Sequence, residues 1–204
     1  MRDFNQDLPP GATPLTAEDF EGLLPRFITT RKDLNDAESK NNSEAMKKYF
    51  LSKRKNFFRF ELVDLFRIHR EMFGQVWSWA GKKRKTNKNI GVDKAQIDTE
   101  VKKLSDDLDY WLVHKMETIE ISARLHYRLV YIHPFNNGNG RWARFVVNFF
   151  LKERLNSFIR FPEDELLLTT EIRKRYIRAL QAADELDYGP LIEIHREFIA
   201  PFTI

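Results

Sequence analysis

The 204-residue sequence contains no cysteine, which excludes disulfide bonds and thiol chemistry. No apolar run approaches the roughly 20 residues that a membrane-spanning helix needs. The opening stretch, MRDFNQDLPPGATPL, is acidic and proline-bearing and lacks an apolar signal core, so a cytoplasmic protein is expected. There is no internal repeat and no low-complexity tract. The five histidines offer no pair at convincing metal-ligand spacing, which argues against a transition-metal site. A net charge of +4 is too small an excess for a dedicated nucleic-acid binder.

What is present points to a folded domain. Hydrophobic residues make up 42% and include 17 Phe, enough for a packed interior at this length. Positive charge gathers at 47–59 and 82–88. These stretches read as solvated faces, with an anionic partner surface as the alternative.

Helical signals dominate. Pro9, Pro10, Gly11 and Pro14 keep residues 1–15 extended. Thr16 can cap a short helix through AEDFEGLL, and Pro25 follows its end. Thr30 and Asp33 have the spacing of a capping pair at the start of a longer helix. Leu62, Leu65, Phe66, His69, Met72 and Phe73 recur at helical spacing up to Gly74. Two more amphipathic helices follow, one through Val101, Leu104, Leu108, Trp111 and Leu112, the other through Ile121, Leu125, Leu129 and Ile132. Residues 142–152 are apolar enough for a buried helix, 164–186 give one or two more, and a last helix closes the chain. The segment 82–92, with its Asn, Gly and Lys residues, reads as a short hairpin. The class is mainly α, with residues 1–30 as a lead-in and short helix before the main domain at 31–204. His69, His126 and His195 fall within helical patterns and read as core-edge residues, as do Tyr176 and Tyr188, whose other use would be to border an adenine.

One segment, HPFNNGNGRWAR at 133–144, is hard to explain by packing alone. Pro134 should end the preceding helix near Ile132 and hold His133 extended. Phe135 reads as a core anchor for the loop. Gly138 and Gly140 permit backbone that lets several N–H groups converge, and the helix starting near Arg141 adds its own unsatisfied N–H groups. That is a cradle for an anion, phosphate above all. Arg141 and Arg144 lie three residues apart, on nearly one helical face, so two guanidinium forks could hold a polyphosphate. A neutral His133 beside the cradle could take a proton from an attacking hydroxyl.

This segment resembles the Fic motif, His-Pro-Phe-x-(Asp/Glu)-Gly-Asn-Gly-Arg-x-x-Arg, at all but one defined position. WAGKKRKTNKNIGV resembles the family's flap, YIRALQAADELDYGPLIEI its C-terminal segment, and TPLTAEDFEGLLPRFITTRKDLNDAE the mobile mystery protein B subgroup. The resemblance implies a Fic-type helical domain with a short β-hairpin flap. Its activity would be adenylyl transfer from ATP to a Ser, Thr or Tyr hydroxyl of a target protein. His133 would be the base. Gly138, Asn139 and Gly140 would line the cradle, with Asn139 also donating to the α-phosphate, and Arg141 and Arg144 would hold the β and γ phosphates. The departure is Asn137, which stands where the family has an acidic Mg²⁺ ligand; its amide oxygen is a weaker ligand, and Asn136 is the neighbour that could compensate. The flap residues Lys88, Asn89, Ile90 and Gly91 would dock the target. AEDFEG at 17–22 partly matches the family's inhibitory pattern, which casts Glu21 as a carboxylate reaching Arg144; a separate inhibitory or antitoxin partner is the other route to restraint. Two alternatives stay open: a noncatalytic nucleotide- or partner-binding module, and a phosphotransferase of the Doc type.

Overall fold

Two short capping devices open the chain's first helices. The Thr16 hydroxyl accepts from the Asp19 N–H at 3.2 Å while the Asp19 carboxylate accepts from the Thr16 N–H at 2.9 Å. Thr30 and Asp33 repeat the arrangement at 3.1 and 2.9 Å. Each cap satisfies donors that a helix start leaves unpaired, a contribution of about 1 kcal/mol. They begin α1 (Ala17–Glu21) and α2 (Arg31–Met46) in this computed structural model, which describes residues 11, 14–51 and 60–203. Most of the expected lead-in, and residues 52–59 of the first basic stretch, lie outside the described residues.

α1 stops at Glu21 and not at Leu24, because the chain turns aside to pair with the segment after α3 (Leu62–Phe73). Leu24 donates to the Val76 carbonyl and Ser78 to that of Gly22, at 2.9 and 2.8 Å. α4 (Ile97–Val113), α5 (Thr118–Ile132), α6 (Asn139–Leu155), α7 (Glu163–Leu166), α8 (Glu171–Asp184) and α9 (Gly189–Phe198) follow. Strand β1 (Ser157–Ile159) pairs antiparallel with β2 (Ile199–Pro201) and ties the chain's end to the end of α6.

α6 is the axis of the fold. Every side chain from Trp142 to Leu151 is buried, so the helix is covered on all sides, by α5 and α3 among others. Large rings do much of this: Trp142, Phe149 and Phe150 are almost wholly inside. Each such side chain contributes on the order of 1.5–3 kcal/mol by leaving water.

Two backbone expectations need correction. Residues 82–92 form bends and turns with no strand ladder. The carbonyls that a hairpin would pair across strands are taken instead by the Arg84 guanidinium, which donates to the Thr86 and Val92 carbonyls and to Asn87 Oδ1. His133 is left-handed, at φ 50° and ψ 57°, not extended. The helix does end at Ile132, as proline at 134 requires. The left-handed cap still lets the His133 N–H reach the Leu129 carbonyl at 3.3 Å.

Candidate active site

The loop between α5 and α6 is braced from within. Phe135 is fully buried; its ring stacks on His69 at 3.6 Å between centroids and meets Trp142 edge-on at 4.9 Å. Asn139 grips the same residue twice, with Oδ1 accepting from the Phe135 N–H at 3.0 Å and Nδ2 donating to its carbonyl at 2.9 Å. These two bonds fix the Asn139 amide within the loop and leave Nδ2 a second hydrogen.

Gly138 initiates α6 with φ 78°, and a Cβ there would come within 2.8 Å of the Phe73 ring. Only a glycine fits that turn without strain or clash. From it the N–H groups of the first turn of α6 emerge with no carbonyl of their own helix to meet. Gly140 leaves room beside Arg144, and Asn136 is half-buried at the loop's crest.

His133 sits just before this loop and is almost wholly buried. Burial lowers its pKa to about 4, helped by the Arg84 and Lys88 cations. Near neutral pH its ring is uncharged. The Val130 carbonyl lies 3.3 Å from Nδ1, which selects the tautomer with the proton on Nδ1 and a lone pair on Nε2. The flap segment covers it closely: a Cβ on Gly91 would fall 2.4 Å from that of His133. Arg84 fastens this cover, donating Nε to the His133 carbonyl at 2.7 Å, while its own N–H meets the Pro134 carbonyl at 2.9 Å. Lys88 does not stand free for an acidic partner; it forms a buried ion pair with Asp19 of α1 at 3.0 Å. Asn89 is exposed and Ile90 half-buried.

The two arginines of α6 face a cleft of about 280 Å³ between α2, α6 and α7. Both are held by carboxylates. Arg141 meets Glu38 of α2 at 2.8 Å, and Glu38 also accepts from Trp77 Nε1 at 2.7 Å. Arg144 makes a two-point contact with Glu163 at 2.6 and 2.5 Å. Burial works against the charge of Arg144, but the Glu163 carboxylate outweighs it and holds the pKa above the ordinary value. Glu21, by contrast, is exposed at the end of α1. The expectation that it reaches Arg144 is corrected: α1 turns away to pair with the 76–78 segment, and α7 brings Glu163 to that position.

Asn137 does not present a metal ligand. Its Oδ1 accepts from the Gly138 N–H at 2.7 Å, and its carbonyl accepts from His69 at 3.0 Å. Its one side-chain oxygen is neutral and turned into its own loop, a poor match for a hard divalent cation. No cluster of three His, Cys, Asp or Glu fit for a metal occurs among the described residues.

Several site residues carried no sequence signal. Arg84 lay within a stretch read as solvated, yet it is buried. His69 has one possible proton arrangement. Nδ1 accepts from the Gly81 N–H at 3.0 Å, so Nε2 donates to Asn137. Arg31, Glu38 and Glu163 come from segments distant from the motif, and Arg31 lies close enough to feel both Glu38 and Arg141.

Fold and site together set the open first turn of a helix and two arginines beside a neutral histidine, within a helical domain. Residues 59–151 match the Fic/DOC family, so this stretch of the chain is a Fic domain. It is 31% identical over 134 residues to a Protein adenylyltransferase Fic from Nematostella vectensis, a match covering 63% of this chain and 30% of that one. The chain thus spans less than a third of the length of the curated relatives it matches first. Its fold resembles the N-terminal Fic domain of a putative cell filamentation protein from Bartonella quintana, with a TM-score of 0.69, 18% identity, and coverage of 97% of this chain and 93% of that one. It also resembles BepC from Bartonella tribocorum, solved with bound AMPPNP, with a TM-score of 0.67, 20% identity, and 96% coverage of each chain. No described helix is long and apolar enough to cross a membrane.

Proposed function

We propose that this chain is a protein adenylyltransferase that moves the AMP part of ATP to a Ser, Thr or Tyr hydroxyl of a target protein. The observation that carries this reading is a neutral His133 beside a helix start that bears Arg141 and Arg144. The relatives named protein adenylyltransferase support it.

In the proposed step, ATP lays its phosphates along the start of α6. Nε2 of His133 takes the proton of the target hydroxyl as its oxygen attacks the α-phosphorus. The bond from that phosphorus to the bridging oxygen breaks, and pyrophosphate leaves. Such a transfer asks little covalent chemistry of the protein; it needs in-line placement and compensation of charge. Since Asn137 does not suit Mg²⁺, we assign that compensation to Arg141, Arg144 and the N–H groups of the first turn. The flap at Lys88–Gly91 borders His133 and is where an extended target segment would lie. Before ATP binds, Glu38 and Glu163 must release the arginines, so restraint within this chain comes from these two carboxylates. A separate inhibitory or antitoxin partner would act on top of that.

The test is incubation of the protein with ATP labelled at the α or the γ phosphate, in a cell lysate. Protein-bound α-label is expected. Label from the γ position alone would instead indicate phosphoryl transfer of the Doc type. No protein-bound label from either would favour a binding module, the reading suggested by the inturned oxygen of Asn137.

A further inference from the structure

Beneath Arg144 runs a line of buried polar side chains that the transfer step does not use. Tyr176 of α8 sets its ring 5.9 Å from the Arg144 guanidinium carbon and its hydroxyl at the head of the line. The same hydroxyl lies 3.0 Å from Nε2 of His126 on α5. Nδ1 of His126 lies 3.0 Å from Nε2 of His195 on α9. Nδ1 of His195 lies 2.8 Å from the Ser122 hydroxyl, and that hydroxyl donates to the Ile119 carbonyl at 2.7 Å. Tyr176, His126, His195 and Ser122 are all almost wholly buried.

The Ile119 carbonyl at the far end fixes the direction of every bond. A guanidinium can only donate, and a backbone carbonyl can only accept. Tyr176 therefore gives its proton to His126 and keeps only lone pairs on the side of the Arg144 guanidinium. His126 passes a bond from Nδ1 to His195, His195 from Nδ1 to Ser122, and Ser122 to Ile119. Each link uses one proton and one lone pair, and the donor of each finds an acceptor in the next. Burial, chiefly, keeps both histidines neutral at ordinary pH, as this order requires. Reversing any one link would place two donors or two acceptors face to face in a dry interior, an expensive arrangement.

Arg144 thus has two kinds of partner. Glu163 is nearly half exposed at the cleft and can be exchanged for a phosphate. Tyr176 is buried on the other side and cannot leave without breaking the whole line. We propose that Tyr176, His126, His195 and Ser122 are positioning residues, a one-way hydrogen-bonded chain that keeps the Arg144 fork aimed into the cleft while Glu163 gives way to phosphate. This rests on the reading of Arg144 as a phosphate holder. It adds that α5, α8 and α9, which supply no group to the transfer step, set the affinity for the phosphate tail.

The experiment is calorimetric titration of the full chain with α,β-methylene ATP, which cannot be cleaved at the α-phosphate, and with AMP, which lacks the distal phosphates. Arg144→Ala should weaken the triphosphate and leave AMP within about twofold. Tyr176→Phe, which keeps the ring and removes one hydroxyl, should weaken the triphosphate about tenfold with AMP again unchanged, the size of one lost polar contact with a charged group. Ser122→Ala, at the far end, should weaken it in the same sense by about two- to threefold, since loss of one link loosens those beyond it. In the Arg144→Ala background, Tyr176→Phe should add nothing.

A merely structural role predicts otherwise: both nucleotides weakened alike, and effects that add to Arg144→Ala. Either result would overturn the inference, as would triphosphate binding by Tyr176→Phe equal to the parent's. Should Tyr176→Phe fail to fold by circular dichroism, Ser122→Ala carries the same test alone. If Arg144→Ala itself leaves triphosphate affinity unchanged, the phosphate-holding reading has failed and the positioning chain falls with it; this outcome is distinct from a failure of Tyr176 alone.

Discussion

The carboxylate of Glu163 faces the guanidinium of Arg144 squarely, Oε1 to Nε at 2.6 Å and Oε2 to Nη2 at 2.5 Å. A planar two-point contact of this kind is the one a phosphate would make with the same fork. Glu163 therefore occupies the seat that the reading above gives to the end of a triphosphate.

Glu163→Gln removes that competing charge while keeping the shape of the side chain. ATP should bind about tenfold more tightly, on the order of 1.4 kcal/mol, and a calorimetric titration measures it. The direction is what matters: affinity equal to or weaker than the parent's would mean that Glu163 does not compete with phosphate. The same variant should be less stable, because it leaves a buried cation without its anion.

Glu38 and Glu21 separate by the same logic. Glu38 is buried against Arg141 and Trp77, whereas Glu21 is exposed on α1. Glu38→Gln keeps an oxygen for the Trp77 N–H and removes the negative charge beside the cradle. Initial rates of self-labelling at fixed ATP should rise several-fold in Glu38→Gln and stay at the parent's level in Glu21→Gly. A rise confined to Glu21→Gly would restore the original assignment of restraint to α1.

The contrast between these two glutamates marks how far the sequence could be read. Helix starts at Thr16 and Thr30, the stop at Ile132 and the buried α6 followed from local chemistry, because caps, proline and unbroken apolar runs act within a few residues. The motif loop followed for the same reason: glycine freedom, an anchoring Phe135 and two arginines one turn apart are all local. Partners across the fold were not legible. Nothing near Glu38 or Glu163 announces an arginine more than 100 and 19 positions away, respectively. Arg84 was misread because a basic stretch in solvent and a clamp on loose carbonyls have the same composition. The line from His126 to His195 needs two helices brought together, and each histidine alone looked like an ordinary core-edge residue.

His133→Ala should abolish transfer while ATP binding persists, since the cradle is built from the start of α6. A positioned base contributes on the order of a hundredfold to ten-thousandfold. Steady-state labelling and calorimetry on the same preparation test both halves. With the pKa lowered to about 4, the base stays deprotonated from pH 8 down to about 5, so rates limited by this group should be flat across that range. A rate that halves near pH 6.5 would show an imidazole in ordinary solvation and count against a buried base.

Acid should unfold this protein through its histidines before its carboxylates. Burial, as the leading cause, lowers His69 and His195 to about 3, lowers His133 to about 4, and pushes His126 well below 6.5. The unfolded chain, with ordinary histidines near 6.5, therefore binds protons that the folded chain refuses. Stability is full above the unfolded value and falls as pH drops below it, by about 1.4 kcal/mol per pH unit for each such histidine once the unfolded form is protonated. The loss continues to the folded values near 3 to 4, where the slope flattens. Urea melts at pH 7.5, 6.5, 5.5 and 5.0 should show a midpoint that begins to fall between the first two and falls more steeply after. His195→Asn removes one titrating ring from the line and should make that fall shallower, whatever it does to stability at pH 7.5. A midpoint flat down to pH 5 would mean that these histidines are charged in the fold, which would also set two N–H donors face to face between His126 and His195.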